Sequence, residues 1–360
     1  MSSELERRLD GLLAEAPEPE SGAEEKALHR ALRALQPAPP AHRGLRIGVV
    51  AFAAVVVLLA IAAGSLGAAG ALHISVGTKA KKPPAHIPLT LPDGAHGVAV
   101  IVDGRLSVVT RSGFGLHGLP VSAATLSPHA LYVAAGIGHS LVVMKPDRDQ
   151  AWSHPASGRV VAIAWAPDAI RIAYVVHAGR HFALHVIWGT GTHDTVIDRS
   201  VRPVRPSWRA DSLAVAYVGG GGHAVVYDLI HEKRSVLGNI APVAHLAFAP
   251  AGKRLALATP DAVVLRGKTL GTGQVEALGW LHGSPAVAVG SRTSPFIRSF
   301  GRTGRLLDNF RVPGRVVALT RELVVTQTPD KVLAGWGQQK TVNTLLGVGR
   351  TASVEDVAVG

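Results

Sequence analysis

The chain has 360 residues, long enough to bury a sizeable core and longer than one average domain, and its formal charge is +12. It contains no cysteine, which excludes disulfides, cysteine-ligated zinc and cysteine nucleophiles but leaves the compartment open. Apolar residues make up 47% and aromatic residues only 5%, so alanine, valine and glycine carry the hydrophobicity, a composition suited to thin, closely packed layers.

Residues 1–46 hold seven Lys/Arg and eight Asp/Glu, a net charge of −1, so the remainder carries +13. Within them, "SSELERRLDGLLAEA" sets Leu5, Leu9, Leu12 and Leu13 at helical spacing behind a Ser3/Glu6 capping box. "SGAEEKALHRALRAL" repeats the plan with Ser21, Glu24, Leu28, Leu32 and Leu35. Two short amphipathic helices bury little alone, so this segment reads as a weakly ordered tail or a docking element for a cytoplasmic partner.

Residues 47–66 are the most apolar part, 20 residues long, of a segment in which no Asp, Glu, Lys or Arg occurs between Arg46 and Lys79. As a helix that is roughly 30 Å, the hydrocarbon thickness of a bilayer. A core helix would show a polar face, and a signal peptide would follow a short basic leader. A single transmembrane helix is expected, although Ala69-Gly70-Ala71 resembles a cleavage site. Arg30, Arg33, Arg43 and Arg46 before the stretch are nearly balanced by Lys79, Lys81 and Lys82 after it. A short leader and a large following body favour a cytoplasmic N-terminus and an extracytoplasmic body. Residues 67–94 read as a linker.

From residue 95 onward a hairpin recurs. In "IAWAPDAIRIAYVV" a bulky anchor, Trp165, lies eight residues before Ala173. The same offset joins Leu126 to Ala134, Trp208 to Ala216, Phe248 to Ala256 and Trp280 to Ala288, and a small residue precedes each anchor. Anchor spacings of 39, 43, 40 and 32 residues indicate a repeat of several short strands, the signature of a β-propeller. "VPGRVVALTRELVVTQT" is a worn further unit, and "HGVAVIVDGRLSVVTRSG" places Ala99 in the alanine column. An all-β propeller of seven blades is expected over 95–360, with six as the alternative. The first blade's inner strand is either "IPLTL" or, preferably, the terminal "SVEDVAVG", which would close the ring and remove a sheet edge.

The units "WAPDAIRIAY" and "FAPAGKRLAL" resemble the WD-repeat-like propellers of the TolB type, with their Ser-Pro-Asp-Gly-like turn before a short strand. Only Pro128, Pro167 and Pro250 keep the proline, and no Trp-Asp dipeptide occurs. The resemblance implies a propeller that acts as a binding platform.

Little in the sequence points to chemistry. His177, His181 and His185 have a helical metal-ligand spacing, but in register with the repeat they fall on a turn and strand and do not share one face. "GGGGH" (219–223) takes a hairpin-turn position with no helix after it to bind phosphate. No G-x-S-x-G occurs, and no metal or cofactor is expected. The densest basic run supplies Arg298, Arg302, Arg305, Arg311 and Arg315, candidate contacts to an anionic surface; it lacks the recognition elements of a nucleic-acid binder. The expectation is a single-pass membrane protein displaying a non-catalytic propeller that binds a protein or an anionic envelope polymer. The alternatives are a transmembrane regulator laid out like a membrane anti-sigma factor, without the His/Cys zinc motif, and a propeller hydrolase or lyase.

Overall fold

The computed structural model describes Leu91 and, apart from short gaps in connecting segments, residues 95–359. The helices expected in 1–46, the apolar stretch 47–66 and nearly all of the 67–94 linker lie outside the described residues. No helix among the described residues is long and apolar enough to cross a membrane.

Seven antiparallel four-stranded sheets make up the fold. Blade 1 unites the last strand, β28 (Val354–Val359), with the first three, β1 (Gly97–Val102), β2 (Arg105–Thr110) and β3 (Gly113–Pro120). Blade 2 contains β4 (Ala124–Leu126), β5 (Val133–Ile137), β6 (Ser140–Met144) and β7 (Gln150–Pro155). Blade 3 contains β8 (Arg159–Trp165), β9 (Arg171–Ala178), β10 (His181–Trp188) and β11 (Thr195–Asp198). Blade 4 contains β12 (Ser207–Trp208), β13 (Ala214–Val218), β14 (Ala224–Asp228) and β15 (Lys233–Leu237). In blade 5 these are β16 (His245–Phe248), β17 (Leu255–Ala258), β18 (Ala262–Leu265) and β19 (Lys268–Gly271). In blade 6 they are β20 (Val275–Leu281), β21 (Ser284–Val289), β22 (Phe296–Phe300) and β23 (Leu306–Arg311). Blade 7 ends the series with β24 (Arg315–Thr320), β25 (Leu323–Gln327), β26 (Lys331–Trp336) and β27 (Val342–Gly347).

The innermost strands β4, β8, β12, β16, β20, β24 and β28 each touch the next, and β28 touches β4, so the blades stand in a closed circle. This is the expected seven-bladed propeller. The terminal "SVEDVAVG" supplies the closing strand, pairing Val98 with Val359 and Ala99 with Ala358. Lettering each blade's strands A to D from the axis outward defines two rims. The lower rim carries the A–B and C–D turns, and the upper rim carries the B–C turns and the D–A connections between blades.

Seven apolar clusters fill the seven gaps between neighbouring blades. Their composition explains the eight-residue offset. Ala173 of blade 3 shares its cluster with Trp208 of blade 4, Ala216 with Phe248, Ala256 with Trp280, Ala99 with Leu126, and Ala134 with Trp165. The alanine column of each blade thus faces the bulky anchor of the next. Close-packed interiors admit a large side chain only where the opposite wall is small. All six alanines of the column are buried, and so are the anchors Leu126, Trp208, Phe248 and Trp280, whereas Trp165 is partly exposed. Where the alanine gives way to Val325, between blades 7 and 1, the cluster is built mainly from valines and holds no aromatic residue.

Two details depart from the sequence reading. The small residue before the anchor pairs with the column alanine in Ala164–Ala173, Ser207–Ala216, Ala247–Ala256 and Thr125–Ala134. In blade 6, Gly279 pairs instead with Ala286, and Ala288 pairs with Ala277. The cause is a tight turn at His282-Gly283, with φ of 47° and 68°, which shortens the hairpin. In β8 the alternation of Val161, Ile163 and Trp165 against Val160, Ala162 and Ala164 is broken by a bulge at Val161, which puts Val160 on the same side as Ile163.

Candidate functional site

Four exposed arginines stand on the upper rim between blades 3 and 4. Arg159 opens β8 and pairs with His177 of β9. Arg180 occupies the β9–β10 turn beside Gly179, whose φ of 61° allows the tight reversal. Arg199 and Arg202 lie in "RSVRPVRP", the connection to blade 4, which makes a single antiparallel bridge from Val201 to Gly219 before its two prolines interrupt pairing. That connection is pinned by the Val201 amide donating to Phe182 O at 3.0 Å and the Arg202 amide donating to Val218 O at 2.8 Å. It therefore crosses directly beside His181 and the Phe182 ring, on which His177 stacks at 4.4 Å. All four arginines are exposed, and none takes part in an ion pair among the described residues. The nearby carboxylate, Asp198, is already engaged: it accepts from Tyr217 Oη at 2.9 Å and pairs with Arg234 at 3.1 Å. Burial, followed by that bond and the Asp198 charge, raises the Tyr217 hydroxyl above its ordinary value, so the bond persists at physiological pH.

Around the axis lies a cavity of about 670 Å³. Its wall runs from Pro167 and Pro250 at the lower rim to Arg205, His245 and Glu276 nearer the upper one. Arg205 spans the ring: Nε donates to Ile163 O at 3.1 Å, Nη1 to Val357 O at 3.0 Å and Nη2 to Ala124 O at 2.8 Å. One guanidinium from the approach to blade 4 thus joins the inner strands of blades 3, 1 and 2. The planar fork of arginine suits such a task, and lysine could not replace it. Burial pushes the imidazole of His245 below its usual value, so it stays neutral at pH 7.

A third polar group joins blades 2 and 3. Asp194 accepts from His185 Nδ1 at 3.1 Å and approaches His154 Nε2 at 3.4 Å, while Tyr174 stacks on His185 with centroids 5.0 Å apart. Burial acts to raise the Asp194 pKa, but the hydrogen bond from His185 and the charges of the two histidines outweigh it and hold the carboxyl low. Tyr174 is driven up by burial and by Asp194. No group of three or more His, Cys, Asp or Glu among the described residues is arranged to hold a metal. His185 pairs with Tyr174 whereas His177 pairs with Phe182, so the three histidines do not converge. Residues 219–223 are the β13–β14 turn.

The lower rim carries most of the exposed large apolar side chains, set among charged ones. Eight large hydrophobic side chains are exposed among the described residues. Six of them, Leu131, Tyr132, Ile170, Trp188, Ile230 and Leu306, stand in or beside A–B and C–D turns, and Leu307 follows directly. Only Val236 belongs to the upper half of an outer strand.

The five arginines of the basic run do not share one surface. Arg302 and Arg305 lie exposed in the β22–β23 turn of the lower rim. Arg298 is half-buried and donates to Thr272 O at 3.1 Å; Arg311 covers the Phe296 ring at 4.8 Å. Arg315 opens β24 on the upper rim and donates to Val354 O. Sequence reasoning missed the cluster of Arg159, Arg180, Arg199 and Arg202, because its members are spread over 44 residues and only the blade 3–4 junction assembles them. It missed Arg205 as well, although "RPVRP" between two strand signals marks a rigid connection worth inspection.

No known protein family matches the sequence, and no curated protein matches it. Among solved structures, TolB from Acinetobacter baumannii aligns with a TM-score of 0.46 and 13% identity, covering 61% of this chain and 65% of that one. The β-propeller domain of Cps50 (Swd1) from Myceliophteria thermophila aligns with a TM-score of 0.47 and 11% identity, covering 72% of this chain and 98% of that domain. The class defined by the coordinates is a closed seven-bladed propeller, similar in fold to these two proteins.

Proposed function

We propose that the chain is a single-pass membrane protein whose non-catalytic propeller is displayed outside the cytoplasm and binds a polyanionic partner, an envelope polymer or an acidic protein surface, through its upper rim. The observation that carries this reading is the exposed quartet of Arg159, Arg180, Arg199 and Arg202, none of which enters an ion pair among the described residues. Four such cations on one junction are an electrostatic footprint for an acidic ligand. The tether rests on the apolar stretch 47–66, long enough to span a bilayer.

The test uses the full-length protein in detergent, with poly(glycerol phosphate) and polyglutamate as probes and sodium chloride as the variable. Arg180→Glu/Arg202→Glu is expected to weaken binding at least about tenfold and to flatten its salt dependence, with the thermal midpoint unchanged. Equal binding by the variant and the parent protein would remove the upper rim as the site. Release of the protein from membranes by alkaline carbonate would remove the tether.

A further inference from the structure

The two rims differ in a way that the binding of a polyanion does not use. The chain joins the ring at His96–Gly97, the start of strand B of blade 1, and the closing strand β28 runs out at Val359 beside it; both points lie on the lower rim. Twenty-eight residues, 67–94, separate this point from the apolar stretch. The same rim presents Leu131, Tyr132, Ile170, Trp188, Ile230 and Leu306, with Leu131 64% and Ile230 61% exposed.

The blade 3 part of this surface is held in place. Trp188 stacks on His193 at 4.6 Å, and the Gly189 amide donates to Ile170 O at 2.6 Å, which seats Trp188 against the blade 3 turn. The Asp168 amide donates to Ser212 Oγ at 3.0 Å and joins that turn to blade 4. Several acids of this rim are neutralised locally: Asp149 by Lys145 at 3.7 Å, Asp168 by Arg171 at 3.5 Å and Asp211 by Arg209 at 2.8 Å. Asp228 lies 3.0 Å from His231. Arg302 and Arg305, beside Leu306, take part in no ion pair among the described residues, as does Lys253, against Asp147 and Glu232.

We infer that the lower rim rests on an anionic lipid surface, with Ile170, Trp188 and Ile230 inserted at headgroup depth and Arg302 and Arg305 against lipid phosphates. Trp and Tyr favour that depth because an apolar ring with one polar edge fits the boundary between acyl chains and water. Cationic side chains flanking aliphatic ones complete an interfacial surface attracted to acidic headgroups. The inference rests on the membrane-tether reading above. It goes further in fixing which way the propeller faces: lower rim to the bilayer, arginine quartet outward.

The absence of cysteine makes the test direct. Ile170→Cys, Ile230→Cys and, on the upper rim, His139→Cys each provide a single labelling site. Each full-length variant is reconstituted into vesicles of phosphatidylcholine and phosphatidylglycerol and spin-labelled, and collisions with oxygen and with a water-soluble nickel complex are compared. Labels at 170 and 230 are expected to favour oxygen at least about threefold over the label at 139, and to lose part of that excess in pure phosphatidylcholine or on Arg302→Glu/Arg305→Glu substitution. If the protein resists carbonate extraction but all three labels collide equally with nickel, the tether stands and the rim contact is wrong. Spin–spin broadening at 170 and 230 without oxygen enrichment would assign the surface to a second copy of the chain and overturn the lipid contact. Extraction by carbonate would overturn both readings.

Discussion

The gap between blades 3 and 4 and the gap between blades 7 and 1 solve one packing problem in two ways. In the first, Ala173 makes room for Trp208, whose indole Nε1 donates to Ala164 O of the neighbouring blade at 3.0 Å. Polar links run alongside: Tyr217 to Asp198, the Asp168 amide to Ser212, and the Arg171 guanidinium to Ser212 O at 3.2 Å. In the second gap, valines meet valines, and the closing strand takes part as the innermost strand of blade 1. Across the gap the Val354 amide donates to Gln327 Oε1 at 3.1 Å, while within blade 1 the Ser353 amide donates to Asp103 Oδ1 at 2.9 Å and the Gly104 amide to Glu355 Oε1 at 3.2 Å. The difference shows that small-against-large complementarity is one way for abutting blades to fill the space between them. Between blades 7 and 1, where no strand pairs across the gap either, side chains of similar size on both walls fill it instead.

Arg205 touches both regions, since it holds Ile163 O of blade 3 and Val357 O of the closing strand. Arg205→Ala is therefore expected to have the largest effect, about 3–5 kcal/mol, by removing three charge-assisted bonds and leaving carbonyls short of donors. Chemical denaturation measures this; a loss below about 1 kcal/mol would mean that the clamp is ornamental. Next come two overpacking variants. Ala173→Leu crowds Trp208 and is expected to cost about 2–3 kcal/mol, whereas Val325→Leu, in the valine gap, is expected to cost about 1 kcal/mol. Equal losses would break the distinction between the gaps.

Trp208→Phe removes the cross-blade bond to Ala164 and is expected to cost about 1–2 kcal/mol. Trp165→Phe is expected to cost less, because the Trp165 indole donates at 3.1 Å to Ala169 O within its own exposed turn. Comparing the two thermal midpoints isolates the worth of a bond that crosses a gap. The smallest effect belongs to Asp194, in the gap between blades 2 and 3. Its folded pKa lies below the ordinary 3.8, so its contribution is present above that value and is lost as pH falls through the folded pKa. In Asp194→Asn, stability is expected to fall less steeply below pH 4 than in the parent, as read from urea midpoints across that range.

The architecture was legible because it is written in a periodic code: one large residue, one small residue, a constant offset. Closure by the last strand was legible too, since an unpaired inner edge had to be covered. The reading failed where the chain departs from its period. The bulge at Val161 and the two-residue turn at His282-Gly283 each shift the phase, and local apolar spacing does not reveal such shifts. The left-handed residue four places after the anchor is Ala130, Ala169, Ser212 or Gly252, with φ of 55°, 60°, 58° and 74°. Only one of the four carries the glycine that would have announced it. The candidate site was the least legible part. Arg159, Arg180, Arg199 and Arg202 acquire meaning only when two blades stand side by side, whereas the run from Arg298 to Arg315 looks like a site in the linear chain and is dispersed by folding.

The pairing of each alanine with the anchor of the following blade changes what counts as a module here. A blade lifted out whole leaves its own small wall without the ring it was shaped for, and takes away the ring that filled the wall behind it. A cut made inside the A–B hairpin, between one anchor and the alanine that follows it, keeps every such couple intact. The heritable and engineerable piece of this wheel is therefore the joint between spokes rather than the spoke.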